Sequence, residues 1–240
     1  MRLLDLTLND PAENLALDEA LLEQAESQTD VVEVLRFWEP RHPVVVLGRS
    51  SPLEQEVNLD YCGRNDIPIL RRCSGGATIV TGPGCLMYAV LIAYQHRAPL
   101  RMLDQAHQFV LNQLRLAIQT LGIEVHIRGT SDLTFLNRKF SGNSLRCRKN
   151  NFVYHGTLIC DFDLTLAANC LGTPQRQPTY RKGRTHNEFL TQLPISATAV
   201  KTAMIQQWNA DESLVTWPQS STERLATEKY RNRNWTEAVR

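Results

Sequence analysis

Polar and hydrophobic positions alternate through residues 1–8, which reads as an edge strand. Asn9-Asp10-Pro11 then supplies a capping residue and a proline suited to the first turn of a helix. Residues 14–24 continue that helix on propensity. Within it Asn14 and Asp18 share one face at i, i+4 among apolar neighbours, a spacing that fits either a solvated pair or an inward, site-facing one. Residues 31–38 read as a strand, Pro40-Arg41-His42-Pro43 turns the chain, and residues 44–48 form a second, buried strand, so a hairpin is the economical arrangement. Leu59-Asp60-Tyr61-Cys62 suggests a short helix before a strand at residues 67–70.

That strand feeds the stretch around which the chain is organised, Leu70-Arg71-Arg72-Cys73-Ser74-Gly75-Gly76-Ala77-Thr78-Ile79-Val80, with Thr81-Gly82-Pro83-Gly84 behind it and an apolar strand at residues 86–92 beyond. Adjacent glycines let backbone N–H groups turn toward an anion, and flanking arginines add fixed charge and bidentate donors. A phosphate or a carboxylate suits such a loop. The chain leaves the glycines into a β-type segment without Gly-Lys-Ser/Thr, which excludes a P-loop. No Gly-x-Gly-x-x-Gly opens a helix, which argues against a dinucleotide fold.

Downstream, Ala106, Phe109, Val110, Leu114, Ala117, Ile118 and Leu121 recur at three- and four-residue intervals, predicting an amphipathic helix over 102–121 that Gly122 stops. Strands are expected at 125–127, 133–135 and 155–160, a tight turn at Asn137-Arg138 and a short helix over 163–171. Residues 172–184, with two prolines, two glycines and four cations, read as a solvated basic loop, the alternative being a substrate clamp. Ser196 caps a helix carrying Val200, Met204 and Trp208, and Ser220-x-x-Glu223 suggests a capping box for a last helix to about Asn232. Two further segments could carry chemistry. Lys139 beside Ser141-Gly142-Asn143 would meet an anion or a carbonyl, although spacing alone reads as a surface turn. His155, at the expected strand start, reads as a hydrogen-bonded structural residue.

Composition narrows the class. With 240 residues and 42% hydrophobic content, one compact domain over 1–240 is expected, and a net charge of +1 gives no bulk attraction to nucleic acid or anionic membrane. The longest apolar run, 86–94, is too short to span a bilayer and Met1-Arg2 opens no signal-like segment, so a cytoplasmic protein is expected. Six scattered cysteines, without Cys-x-x-Cys or zinc spacing, indicate neither a metal site nor a disulfide framework.

The order of the motifs is more specific than any one of them. Arg-Arg-x-Ser-Gly-Gly at 71–76, Gly-x-x-Asp-Leu at 129–133, Arg-Lys-x-Ser-Gly-Asn at 138–143 and His-Gly-Thr-Leu at 155–158 together resemble the lipoate–protein ligase family, within the biotin/lipoyl ligase and octanoyltransferase superfamily. Asn14-Leu15-Ala16-Leu17-Asp18-Glu19, Val46-Leu47-Gly48-Arg49, Lys229-Tyr230 and Trp235 extend the resemblance over roughly 1–235. It implies an α+β fold related to class II aminoacyl-tRNA synthetase catalytic domains, with a central mixed, mostly antiparallel sheet and flanking helices. Such ligases activate lipoate with ATP and Mg²⁺ to lipoyl-adenylate. They then acylate one lysine of an acidic lipoyl domain of 2-oxoacid dehydrogenase or glycine cleavage complexes. Carried onto this chain, Arg72 and the turn Ser74, Gly75, Gly76, Ala77, Thr78, Ile79 and Val80 would hold the phosphates and the acyl tail. Lys139 would be the catalytic residue, touching both carboxylate and α-phosphate, while Asp132, Ser141, Gly142, His155, Gly156 and Thr157 would line the remaining wall. Mg²⁺ would travel with ATP, without a protein metal site. Val44 to Val46 and Tyr88 are candidates for the acyl slot, and no general base is evident.

The chain departs from the family pattern at Ala77, where many members have a third glycine, and at Thr81, where many have histidine. The C-terminal accessory domain of larger ligases has no counterpart, so either a separate accessory chain or a reaction without activation is expected. The competing enzyme is an octanoyl- or lipoyltransferase that works through a cysteine thioester. Residues 124–132, where one transferase group carries its cysteine, contain none; Cys170 falls in a helical, core-like stretch and Cys73 in the opening loop. A ligase is the favoured reading on these absences, with a non-catalytic lipoyl-domain or lipoate-binding module as the alternative of another class. The Gly-Arg-Gly-Arg-rich loop of biotin ligases is missing.

Overall fold

The computed structural model describes residues 1–30, 32–95, 97–173 and 177–238. The expected strand start at Val31 and the centre of the expected basic loop, residues 174–176, lie outside them. In chain order the elements are β1 (Arg2–Asp5), α1 (Pro11–Ser27), β2 (Val34–Trp38), β3 (Val44–Leu47), α2 (Leu53–Glu56), α3 (Leu59–Arg64), β4 (Ile69–Arg71), β5 (Ile79–Thr81) and β6 (Cys85–Ala93). There follow α4 (Leu103–Gln119), β7 (His126–Arg128), β8 (Asp132–Phe135), β9 (Arg138–Cys147), β10 (Asn151–Ile159), α5 (Thr165–Cys170), α6 (His186–Phe189), α7 (Ala197–Trp208), β11 (Glu212–Ser213), α8 (Gln219–Leu225) and α9 (Arg233–Glu237).

Eight strands form the main sheet in the order β11-β1-β2-β6-β10-β9-β8-β7, antiparallel except where β1 meets β2 and β11. The central strands read as continuous apolar runs because both faces of the sheet are covered. On β6 the period-2 alternation sends Leu86, Tyr88, Val90 and Ile92 into a core with α4 and α7. Cys85 and Met87 face the small three-stranded sheet β4-β3-β5, and Ala89 and Leu91 face α1. This is the mixed, mostly antiparallel α+β architecture expected of a class II synthetase-like fold. The amphipathic stripe of α4 and the Ser196 cap of α7 are as the sequence suggests, the Ser196 side chain accepting from Ala199 N. Asp10 caps α1 with Pro11 at its first turn.

Three local expectations are corrected. The strands β2 and β3 do not form a hairpin: all five residues of β2 are buried between β1 and β6, while β3 pairs with β4 and β5 in the second sheet. Pro40 to Pro43 therefore carry the chain between sheets. The tight turn falls one residue early, with Leu136 and Asn137 both at positive φ (48° and 59°), a primed hairpin geometry that makes Lys139 part of a strand rather than of a surface turn. At the C-terminus, the N-cap is Pro218 without a side-chain bond, not Ser220. The helix then widens into a π turn at Ala226–Tyr230. That widening is rewarded, because Lys229 Nζ and the Tyr230 hydroxyl both reach the buried Glu19 carboxylate of α1, at 2.6 and 2.8 Å.

Candidate active site

A pocket of about 380 Å³ opens between the α1 side of the main sheet and the glycine-rich loop. Its wall includes Arg72, Gly76, Ala77, Thr78, Ile79, Asp132, Lys139, Gly142, His155, Gly156 and Thr157, residues the sequence singles out from four separate motifs. A smaller apolar chamber of about 120 Å³ adjoins it, sharing Ala77 to Ile79, Lys139, Gly142 and Thr157 and adding Val80 and Ser141. Ser74 and Gly75 line neither chamber and support the loop from behind. Val46 and Tyr88 reach the larger pocket together with Leu15, Trp38 and Met87, whereas Val44 and Val45 are buried in the core of the small sheet.

The loop is a tightly tied object. Gly48 lets it approach, since a Cβ there would fall 1.8 Å from the Gly76 carbonyl oxygen, and Gly76 itself takes φ +88°. Arg72 donates to the carbonyls of Val46, Gly75 and Ala77 and to Ser74 Oγ, at 2.5 to 3.2 Å. Burial pushes its guanidinium down to about 10, which leaves it charged. Its hydrogen bonds thus shape the loop, and its charge is what the pocket receives. Arg71 points away, donating to Gly48, Ser51, Trp235 and Thr236 carbonyls, and clasps α9 to the loop. Glu56 of α2 receives both the backbone N–H and the hydroxyl of Thr78, at 2.9 and 2.5 Å. Ala77 has no positive φ, so its methyl is accommodated where a third glycine might have stood.

Behind the loop runs a buried polar chain. His155 lies in the middle of β10, not at a strand start. Its Nδ1 meets Asp18 Oδ2 at 2.8 Å and its Nε2 meets Ser74 Oγ at 2.5 Å. With the Nδ1–H donating to the carboxylate, Nε2 accepts from the serine hydroxyl. Asp18 Oδ1 accepts from Arg36 at 2.5 Å, and Arg36 also donates to the Asn14 side chain and carbonyl. The Asn14 and Asp18 face is therefore inward. Burial would raise the Asp18 carboxyl, but Arg36, with His155, holds it below its ordinary value. Arg36, in the centre of an all-buried strand, belongs to none of the motifs, although a lone cation in Val-Leu-Arg-Phe-Trp is itself a signal.

On the opposite wall Lys139 Nζ meets Asp132 Oδ1 at 2.7 Å. Gly142 makes room for this reach: a Cβ there would lie 2.7 Å from Lys139 Nζ. Gly156 does the same for the neighbouring amide, its hypothetical Cβ falling 1.8 Å from Asn143 Oδ1, which accepts from the Tyr88 hydroxyl at 2.7 Å. The described walls of both chambers contain no cysteine. Burial pushes the Cys73, Cys160 and Cys170 thiols up to about 12, Cys85 to about 11, and raises Cys62 as well. A fixed ammonium at the junction of two chambers, without a thiolate, can neutralise an anion or stabilise a developing oxyanion.

The chain is similar to known proteins in sequence and in fold. The chain is similar to a probable lipoate-protein ligase A of Mycoplasma pneumoniae, 27% identical over 163 residues, covering 68% of this chain and 46% of that protein. It thus spans about half the length of that curated relative. It is also similar to the octanoyltransferase LipM of Geobacillus kaustophilus, 22% identical, over 98% of this chain and 96% of that one. In fold it follows a solved bi-partite lipoate protein ligase of Thermoplasma acidophilum, described with its E2 lipoyl domain, at a TM-score of 0.84 and 20% identity over 100% of this chain and 96% of that one. The family model described as the lipoyl protein ligase A/B catalytic domain matches residues 10–209, and the chain belongs to that family.

Proposed function

We propose that the protein is a lipoate–protein ligase, forming lipoyl-adenylate from lipoate and ATP and passing the acyl group to a lysine of an acidic lipoyl domain. The observation that carries this reading is Lys139 standing where the two chambers meet, with no cysteine on either described wall. The acyl chain would lie against Leu15, Trp38, Val46 and Met87, with its carboxylate at Lys139, and the adjoining apolar chamber would take the nucleotide base. Mg²⁺ would arrive with the nucleotide phosphates. Attack of a carboxylate on an α-phosphate brings two anions together, so a fixed ammonium lowers the barrier by meeting charge as it develops, and the Arg72 charge adds to it through the loop. In the second step Lys139 would stabilise the oxyanion on the acyl carbonyl.

The near full-length match to an octanoyltransferase favours a second reading, transfer from an acyl thioester without ATP. One experiment separates them. Apo lipoyl domain is incubated with lipoate and Mg-ATP, with preformed lipoyl-adenylate, or with octanoyl carrier protein, and the acceptor is weighed by mass spectrometry. The ligase reading expects lipoate-dependent ATP–pyrophosphate exchange that Lys139→Ala abolishes. Transfer from lipoyl-adenylate alone would mean that activation needs a separate accessory subunit. Octanoyl transfer without ATP, lost in Cys73→Ser or Cys170→Ser, would overturn the proposal, and lipoyl-domain binding with neither activity would leave a binding module.

A further inference from the structure

Tyr180 belongs to none of the motifs and lies in the stretch that composition reads as a solvated basic loop. Its hydroxyl donates to Asp132 Oδ2 at 2.7 Å, while the other oxygen of the same carboxylate holds Lys139 Nζ at 2.7 Å. The ring is seated independently of that bond. It packs 5.2 Å from the Phe189 ring and stands over Gly129, where an added Cβ would lie 3.6 Å from the Tyr180 ring. Arg184 donates to the Tyr180 carbonyl and to that of Asn137 in the hairpin leading to Lys139. Burial and the adjacent carboxylate raise the phenol above its ordinary value, so it donates and does not ionise.

We infer that Tyr180 is a positioning residue for Lys139, acting through Asp132. Resting on the ligase reading, the argument is one of exchange. An ammonium already paired with a carboxylate must give up part of that pairing to meet an incoming anion, and the carboxylate left behind is buried. A phenol already bonded to its second oxygen keeps Asp132 partly satisfied when the lysine turns to the ligand, which reduces the cost of the exchange. Without the phenol, the full carboxylate charge falls on Lys139 and holds it back from the ligand. Because Tyr180 and Pro178 come from the same segment and Pro178 lines both chambers, the seating of this segment and the readiness of the lysine are linked.

Tyr180→Phe tests this, since it keeps the ring packing and removes only the hydroxyl. In lipoate-dependent pyrophosphate exchange it should lower kcat/KM for lipoate about tenfold, the order expected for a hydrogen bond to a charged group, with KM for ATP within about twofold. In an Asp132→Asn background the same change should have no further effect, because the hydroxyl acts through that carboxylate. A second readout needs no turnover: labelling of Lys139 by an amine-reactive ester, followed by peptide mass spectrometry, should slow at least about threefold in Tyr180→Phe and be equal in Asp132→Asn with or without it. Wild-type rates in Tyr180→Phe, or losses that add in the double variant, overturn the inference. A wild-type protein inactive with ATP overturns the ligase reading instead, and the labelling comparison still decides the role of Tyr180.

Discussion

Asp18→Asn removes the negative partner from the most deeply buried ion pair of the site, where Arg36 is fully covered and Asp18 has 3% of its side chain exposed. Arg36 cannot neutralise itself, so the variant leaves an uncompensated buried guanidinium. Removing one partner of such a pair costs about 3–5 kcal/mol. The lower end, about 3 kcal/mol, is a floor here: Arg36 keeps its bonds to Asn14, but an asparagine oxygen that accepts from His155 turns its NH2 donor to donor against the guanidinium. For a chain of this size that corresponds to a fall in Tm of roughly 6–12 °C. Urea melts followed by circular dichroism, from pH 3 to 8, also test the sign of the linkage. The Asp18 carboxyl is held below its unfolded value, so its stabilisation is present above the ordinary carboxylate value of about 3.9 and is lost as pH falls through the lower folded value. The acid limb of the stability curve should therefore flatten in Asp18→Asn. The double variant Asp18→Asn/Arg36→Met, which removes both charges, should recover part of the loss. A single-variant loss under about 1 kcal/mol, with an unchanged acid limb, would refute the reasoning that this buried pair ties α1 to the sheet.

Two further outcomes test the pocket itself. Gly142→Ala places a methyl 2.7 Å from Lys139 Nζ and should lower the pyrophosphate-exchange rate at least about tenfold by displacing the ammonium, while unfolding shifts little because the lysine end is flexible; an unchanged rate would show that Lys139 need not cross Gly142. Iodoacetamide at pH 8 should label the half-buried Cys147 of the native protein before Cys73 or Cys170, whose thiols lie at about 12; early labelling of either would reopen the thioester route.

Much of the site was legible because its residues sit in local words. The two-glycine loop, Ser-Gly-Asn after Lys139 and His-Gly-Thr each carry glycines that the structure needs for close approach, and local spacing records such needs. What joined those words was not local. Glu56, Arg36 and Tyr180 each contact the site across a long chain separation, through burial and hydrogen bonding that periodicity does not encode. Strand partners are illegible in the sequence for the same reason. Two apolar runs separated by a turn look alike whether they pair with each other or enter different sheets, and the choice of β1 and β6 for β2 is made by which faces must be covered.

The sequence by itself indicated the long helices α1, α4 and α7, whose caps and stripes are local, and singled out the glycine-rich loop and Lys139 as candidates for an anion site. Tertiary structure decided which charges reach the pocket. Arg71 spends its hydrogen bonds on Gly48, Ser51 and α9, and Arg72, although on the pocket wall, spends its own on its loop, whereas the Lys139 ammonium faces the pocket paired with the buried Asp132 carboxylate. The physical reason is that a buried guanidinium must satisfy all its donors, and backbone carbonyls brought together by the fold were the nearest acceptors.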